Sequence, residues 1–189
     1  MKKTLIVIDM QNDFIDGALG TKEAQAIVPN VKKKIEKYVA RGDKIIFTRD
    51  THYENYLDTM EGKILPVKHC IENTDGWAIS KEFNTSIAYV IIDKPTFGYV
   101  DWMSYFSNFI YVEDEENWIG TEEEEPPEHI EIVGLCTDIC VVSNALILKA
   151  TYPETNITVD ASCCAGVTPE SHKAALTTMK MCQINVIGE

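Results

Sequence analysis

The chain has 189 residues, 45% apolar and 25% charged, enough to bury a substantial core as one domain over residues 1–189 without disulfide or metal staples. Its 17 basic and 30 acidic residues leave a net charge of −13, which argues against nucleic acid or anionic membrane as partners because phosphates would be repelled. No apolar run approaches the roughly 20 residues of a membrane span, and no export signal precedes the first apolar stretch, so a cytoplasmic protein is expected.

Thr4 to Asp9 is a continuous apolar run closed by an acid, as expected of a parallel strand covered on both faces. A polar turn follows (Gln11, Asn12, Asp13, Asp16, Gly17). Ala26 to Ala40 then places Ile27, Val31, Ile35 and Val39 four apart with lysines between them, an amphipathic helix for which Gly42 is the stop. Lys44 to Thr48 is the second strand, running out at Arg49-Asp50. The polar stretch Thr51 to Gly76 holds His52 and His69, and a connection this long inside a compact domain is usually functional or disordered. Tyr89 to Asp93 is the third strand, ending against Lys94-Pro95, and Trp102 to Phe109 is a short helix.

Glu113 to His129 is acidic and irregular, with four consecutive glutamates and Pro126-Pro127, and reads as a solvated insertion. Ile130 to Gly134 is the fourth strand. A helix starts beyond it, with Thr137 or Asp138 as N-cap, and runs to about Ala150. Asn156 to Val159 is a fifth strand leading into Asp160, Ala161 and Ser162, with Cys163 and Cys164 packed after it. Pro169 to Met181 is the last helix and Ile184 to Ile187 the sixth strand. Repeated alternation of strand and helix predicts an α/β three-layer sandwich, a six-stranded parallel sheet with helices on both faces. The six cysteines are too sparse for a disulfide framework, and reduced thiols are expected.

Chemistry gathers at the carboxyl ends of the strands, where open α/β sheets bind ligands. Asp9, Lys94 and Cys140 lie at or just beyond three such ends, and together offer an acid/base, a cation and a thiol. That is what nucleophilic attack on an amide carbonyl requires. Cys140 also falls in the first turn of its helix, where the helix dipole and unpaired N–H groups favour a thiolate. Asp50, His52, Glu61 and His69 form a second polar group of borderline and hard ligand types that suits Zn2+, Mn2+ or Fe2+.

Three motifs, VIDMQNDF (residues 7–14), DKPTFG (93–98) and GLCTDICV (134–141), resemble those of the isochorismatase-like cysteine hydrolases. The likeness spans essentially the whole chain and fits the nicotinamidase branch best. It implies a catalytic triad of Asp9, Lys94 and Cys140 and a cis Leu135–Cys136 peptide. It further implies an oxyanion hole built from the backbone N–H groups of Cys136 and Cys140. The sequences DTH and PVKHC resemble the metal-binding motif of nicotinamidases, which implies one divalent metal, zinc first, on Asp50, His52 and His69, with Glu61 a ligand in some members. Phe14 corresponds to the aromatic that stacks on the substrate ring. Leu65 stands where many members carry a second aromatic, and Cys136 stands where alanine is usual.

The function this implies is hydrolysis of nicotinamide to nicotinate and ammonia through a thioester. The alternatives are another small carboxamide or ureido compound, isochorismate, or a non-catalytic metal or thiol-redox module. The expected partners are a small amide and further copies of the chain in a homo-oligomer. Cys136, Cys163, Cys164 and Trp77 are expected to be packing residues.

Overall fold

A computed structural model describes residues 3–106 and 127–189. Its strands are β1 (Thr4–Ile8), β2 (Lys44–Asp50), β3 (Val90–Lys94), β4 (His129–Leu135), β5 (Asn156–Ala165) and β6 (Asn185–Ile187). They form one all-parallel sheet in the order β3-β2-β1-β4-β5-β6. The helices are α1 (Asn12–Ile15), α2 (Lys22–Arg41), α3 (Met60–Ile64), α4 (Met103–Phe106), α5 (Val142–Thr151) and α6 (Pro169–Met181).

Strand alternation splits the core in two. Leu5 and Val7 of β1 face Ile27, Val31, Ile35 and Tyr38 of α2, while Ile6 and Ile8 join Trp102, Val141, Ala145, Leu148 and Met179 on the other side. All five residues of β1 are buried, which is why that strand reads as one unbroken apolar run. The winding direction reverses at β1, with β2 and β3 added outward on one side and β4, β5 and β6 on the other, and ligands collect at such switch points.

Several boundaries differ from expectation. α2 begins a turn before Ala26, because Thr21 caps it by accepting the Ala24 N–H at 3.0 Å, and it carries Pro29 inside. Gly42 ends it in the left-handed conformation (φ 70°), as a C-terminal stop should. β5 does not end at Val159 but runs to Ala165, so Cys163 and Cys164 are strand residues rather than residues after the strand. Asp160 disguised the continuation; it stays buried in the strand because Lys34 of α2 pairs with it at 2.7 Å.

His129 opens β4 and is not part of the acidic insertion. Residues 113–126 of that insertion and the end of the helix expected to reach Phe109 lie outside the described residues. The 51–76 stretch contains a 3-10 turn at Tyr56–Asp58 as well as α3, and the polar turn after β1 contains α1. No described helix is long and apolar enough to cross a membrane.

Candidate active site

The site is assembled at the carboxyl edge of β1, β2, β3 and β4. β1 stops at Ile8, and Asp9 takes up a left-handed backbone (φ 46°), an unfavourable conformation for a residue with a Cβ that is typical of functional sites. Thr48 of β2 holds it there: its hydroxyl accepts the Asp9 N–H at 3.2 Å and donates to Asp9 Oδ1 at 2.6 Å. Lys94, the last residue of β3, is fully buried. Its Nζ stands 2.6 Å from Asp9 Oδ2, 3.2 Å from Asp50 Oδ1, 3.2 Å from the Thr96 carbonyl and 3.5 Å from Cys140 Sγ.

The Leu135–Cys136 peptide is cis, as the resemblance implied, but Cys140 does not lie in the first turn of an ordinary helix. Residues Thr137–Val141 then form a wide π-type turn closed by Val141 N–H to the Cys136 carbonyl at 3.0 Å. The cap position belongs to Cys136, so Thr137 and Asp138 lie inside the turn and neither is its N-cap. Their side chains fasten the turn instead. Thr137 Oγ1 is 2.8 Å from His172 Nδ1 of α6, and the Asp138 carboxylate accepts the Val167 N–H at 3.1 Å. π-type insertions of this kind are frequent where a helix must present a functional side chain.

Electrostatics within this group are tightly linked. Burial pushes the Asp9 carboxyl up, against the pull of Lys94. Burial also pushes the Cys140 thiol well up, with Lys94 opposing. Lys94 is held as a cation: burial works against its charge, but Asp9, Cys140 and Asp50 overcome it. Lys94 therefore bridges the Asp9 side chain and a thiol whose ionised form burial disfavours.

The second group lies in the 51–76 stretch. His52 pairs with Ile71 in a short parallel bridge, with His52 N–H to the Cys70 carbonyl and Glu72 N–H to the His52 carbonyl. That pairing folds the loop back and sets His69 against His52. His52 Nε2 is 3.0 Å from Asp50 Oδ2 and 3.6 Å from Glu61 Oε1; His69 Nε2 is 3.7 Å and 3.8 Å from the same atoms.

These residues fit one metal ion. The four ligand atoms lie within 4.8 Å of one another, close to the spacing that bonds of about 2.1 Å around one centre require. His69 Nδ1 donates to the Val67 carbonyl at 2.8 Å, which leaves Nε2 with a lone pair directed at the cluster. His52 Nε2 is buried without a hydrogen bond, as an atom reserved for a ligand would be.

Between the two groups opens a cavity of about 720 Å³. Phe14, Asp50, Glu61, Leu65, His69, Cys136 and Cys140 all line it. Phe14 is almost buried, with its ring 5.6 Å from that of His69.

A family profile, the Isochorismatase domain, matches residues 3–188. The chain belongs to the isochorismatase family. Among relatives of this isochorismatase-family hydrolase, the nicotinamidase of Saccharomyces cerevisiae is 26% identical over 222 residues, covering 99% of this chain and 100% of that protein. A pyrazinamidase of Pyrococcus horikoshii in complex with zinc superposes with a TM-score of 0.71 at 26% identity, covering all of both chains. An N-carbamoylsarcosine amidase of Thermoplasma acidophilum gives 0.73 at 26% identity, covering 99% of this chain and 96% of that one.

Every candidate residue read from the sequence of this isochorismatase-family chain reaches one of the two groups or the cavity between them. Trp77 instead packs at the edge, its indole N–H bonded to Thr51 Oγ1 at 2.8 Å and its ring under Arg49.

Sequence reasoning missed Asn144 and undervalued Gln11. Asn144 is fully buried in α5; its amide donates to the Cys140 and Phe97 carbonyls and its oxygen accepts the Tyr99 N–H, tying the Lys94–Tyr99 segment to the Cys140 turn. An asparagine among apolar helix neighbours was the available signal, since a buried amide must have partners. Gln11 looked like a turn residue, but it is buried and bonded to the Asp50 backbone in both directions.

Proposed function

We propose that this chain hydrolyses an uncharged primary amide of the nicotinamide type to its acid and ammonia through a thioester on Cys140. One observation carries this reading. Asp9 and Lys94 meet Cys140 from behind, and Cys140 lines the floor of a largely apolar cavity whose carboxylate lining residues are Asp50 and Glu61. No lysine or arginine is among its described lining residues. Isochorismate and carbamoyl amino acids carry carboxylates that would need a cation there, and they fit less well.

The residues divide the work as follows. Asp9 takes the proton of the Cys140 thiol, and Lys94 together with the turn behind Cys140 stabilises the thiolate. The thiolate attacks the amide carbon, and the backbone N–H groups of Cys136 and Cys140 hold the resulting oxyanion. Protonated Asp9 delivers its proton to the departing nitrogen, which leaves as ammonia. Asp9 then removes a proton from water, the hydroxide attacks the thioester carbonyl, and the acid departs as the thiol is restored. Burial favours this scheme by raising the Asp9 carboxyl toward the working pH.

Asp50, His52 and His69, with Glu61 as a fourth ligand, would hold one divalent metal, zinc first among the candidates. When bound, it supplies a Lewis-acid anchor for a ring nitrogen or a water at the cavity wall. Phe14 supplies the ring contact, while Leu65 contributes an aliphatic wall in place of a second aromatic.

The test is a side-by-side assay. Ammonia release is measured from nicotinamide, pyrazinamide and ureido compounds, with loss of isochorismate followed in parallel. Nicotinamide turnover that disappears in Cys140→Ala is the expected result. Turnover of isochorismate or a ureido acid with nicotinamide inert would overturn the reading.

A further inference from the structure

The cavity is larger than its proposed small substrate. At roughly 30 Å³ per water, a single-ring carboxamide the size of four or five waters occupies about 150 Å³, well below the 720 Å³ enclosed. Pockets of this larger size are those that bury a drug-sized ligand.

Exposure orders the lining from floor to mouth. Cys140 and His69 are 4% and 2% exposed and Phe14 8%, so the amide and its first ring contact belong to the floor. Phe97, Val167, Met60 and Ile64 are 44%, 54%, 73% and 81% exposed, and these form the mouth. Leu65, at 37%, lies between them. The outer part of the cavity is therefore walled by large apolar side chains that the proposed chemistry does not use.

α3 explains why they stand there. A Cβ on Gly62 would come within 2.1 Å of the Tyr56 carbonyl, so the back of this short helix lies flat against its own loop. The Thr59 hydroxyl caps it and the Tyr56 hydroxyl bonds the Leu65 carbonyl, fixing both ends. Met60 and Ile64 consequently project toward the cavity mouth and solvent, where large apolar side chains gather mainly to meet a ligand or partner. Val167, also in the lining, is held through its N–H by Asp138 of the Cys140 turn.

We infer that the preferred substrate is an uncharged primary amide bearing a bulky apolar substituent, which lies between α3 and Val167, with Ile64, Leu65 and Val167 determining specificity. This rests on the amidohydrolase reading above. The substituent is uncharged because the side chains at the mouth include no lysine or arginine to pair an acid, and an amine would have to leave water for apolar walls.

The experiment compares kcat/KM for nicotinamide with ring-alkylated nicotinamides of increasing chain length and with linear aliphatic primary amides. Each methylene buried at the mouth should raise kcat/KM by about three-fold, so a butyl substituent at a tolerated ring position should gain at least ten-fold. Ile64→Asp and Val167→Asp should each cost the best alkylated amide at least ten-fold more than they cost nicotinamide. Nicotinamide turned over faster than every extended amide, or equal losses for both substrates in both variants, would overturn the inference while leaving the amidohydrolase reading intact. If a folded protein with an alkylatable Cys140 hydrolyses no amide at all, the amidohydrolase reading fails, and the inference with it.

Discussion

Lys94 and Asp50 are in direct contact: the buried ammonium lies 3.2 Å from Asp50 Oδ1, while Oδ2 of the same carboxylate lies 3.0 Å from His52 Nε2. One carboxylate thus belongs both to the charge network around the thiol and to the metal-type cluster. Among the four cluster residues, Asp50 is the one shown in contact with Lys94. Asp50→Asn should lower metal affinity and also speed alkylation of Cys140, because the Asp50 carboxylate disfavours the thiolate and offsets part of the Lys94 charge that stabilises it. His52→Asn and His69→Asn should lose metal, at least ten-fold in affinity, with alkylation rates within about three-fold of the parent. Metal content and iodoacetamide kinetics on the same preparations check this; equal alkylation rates in all three variants would show the two groups to be independent.

The two cysteines of the turn should behave differently. Cys140→Ala should reduce ammonia release by at least about 10⁴-fold, the loss expected when a covalent nucleophile is removed. Cys136→Ala should stay within about ten-fold of the parent, since Lys94 contacts the sulfur of Cys140, while burial pushes the Cys136 thiol up to about 12. The opposite pattern would reassign the nucleophile.

Phe14 tests whether the inner cavity selects a ring. Its ring tilts toward His69 at 5.6 Å, so a planar substrate at the cluster would contact both. Phe14→Ala should cost nicotinamide about ten-fold more in kcat/KM than it costs an aliphatic amide, mainly through KM.

Away from the site, Lys34 of α2 bonds both Glu131 of β4 and Asp160 of β5, and Tyr38 donates to Glu131 at 2.6 Å. Burial raises the Asp160 carboxyl, but its bonds to Lys34 and Ser162 more than reverse that and hold it below the ordinary carboxylate range. A carboxyl lowered on folding adds stability that is present above its unfolded value near 3.9 and is lost as pH falls through the folded value. The melting temperature should therefore drop below about pH 4, and Asp160→Asn should flatten that decline while lowering the neutral-pH value by a few degrees. A parallel pH profile for parent and variant would refute this role.

Gly134 sits beside Ile8 in the sheet, where the β4–β5 register shifts, with φ at 121°. A Cβ there would come within 2.0 Å of the Ile8 carbonyl oxygen. Gly134→Ala should destabilise by about 3 kcal/mol or more, combining backbone strain with a clash against main chain that cannot move aside. Denaturant midpoints give the measurement.

Much of this was legible in the sequence because strand ends announce themselves. Asp9 and Lys94 each close an apolar run, and the parallel sheet brings such ends to one edge. α6 was bounded correctly because Thr168 and Pro169 mark its start. β5 was cut short because Asp160 and Ser162 look like a chain leaving the core; only the approach of Lys34, distant in sequence, lets a carboxylate remain in a buried strand. The N-cap at Thr137 or Asp138 failed for a related reason. Both residue types suit a cap, but the cis peptide and the wide turn move the start of the turn to Cys136, and backbone geometry of that kind leaves no mark in hydrophobic periodicity. The roles of Gln11 and Asn144 depend on carbonyls many residues away, which no local pattern reveals.

Gln11 has one more consequence. Its side chain donates to the carbonyls of Asp50 and Trp77, at 2.9 and 2.8 Å, and accepts the Asp50 N–H at 2.7 Å, so one buried amide bolts the end of β2 to the far limb of the loop. The side chains proposed as ligands are thus held in place by bonds of the chain itself, which leaves little ordering for a metal to impose. Uptake should then be paced by the ion shedding its own water, so that rates for different cations follow their water-exchange lability more closely than any rearrangement of the protein.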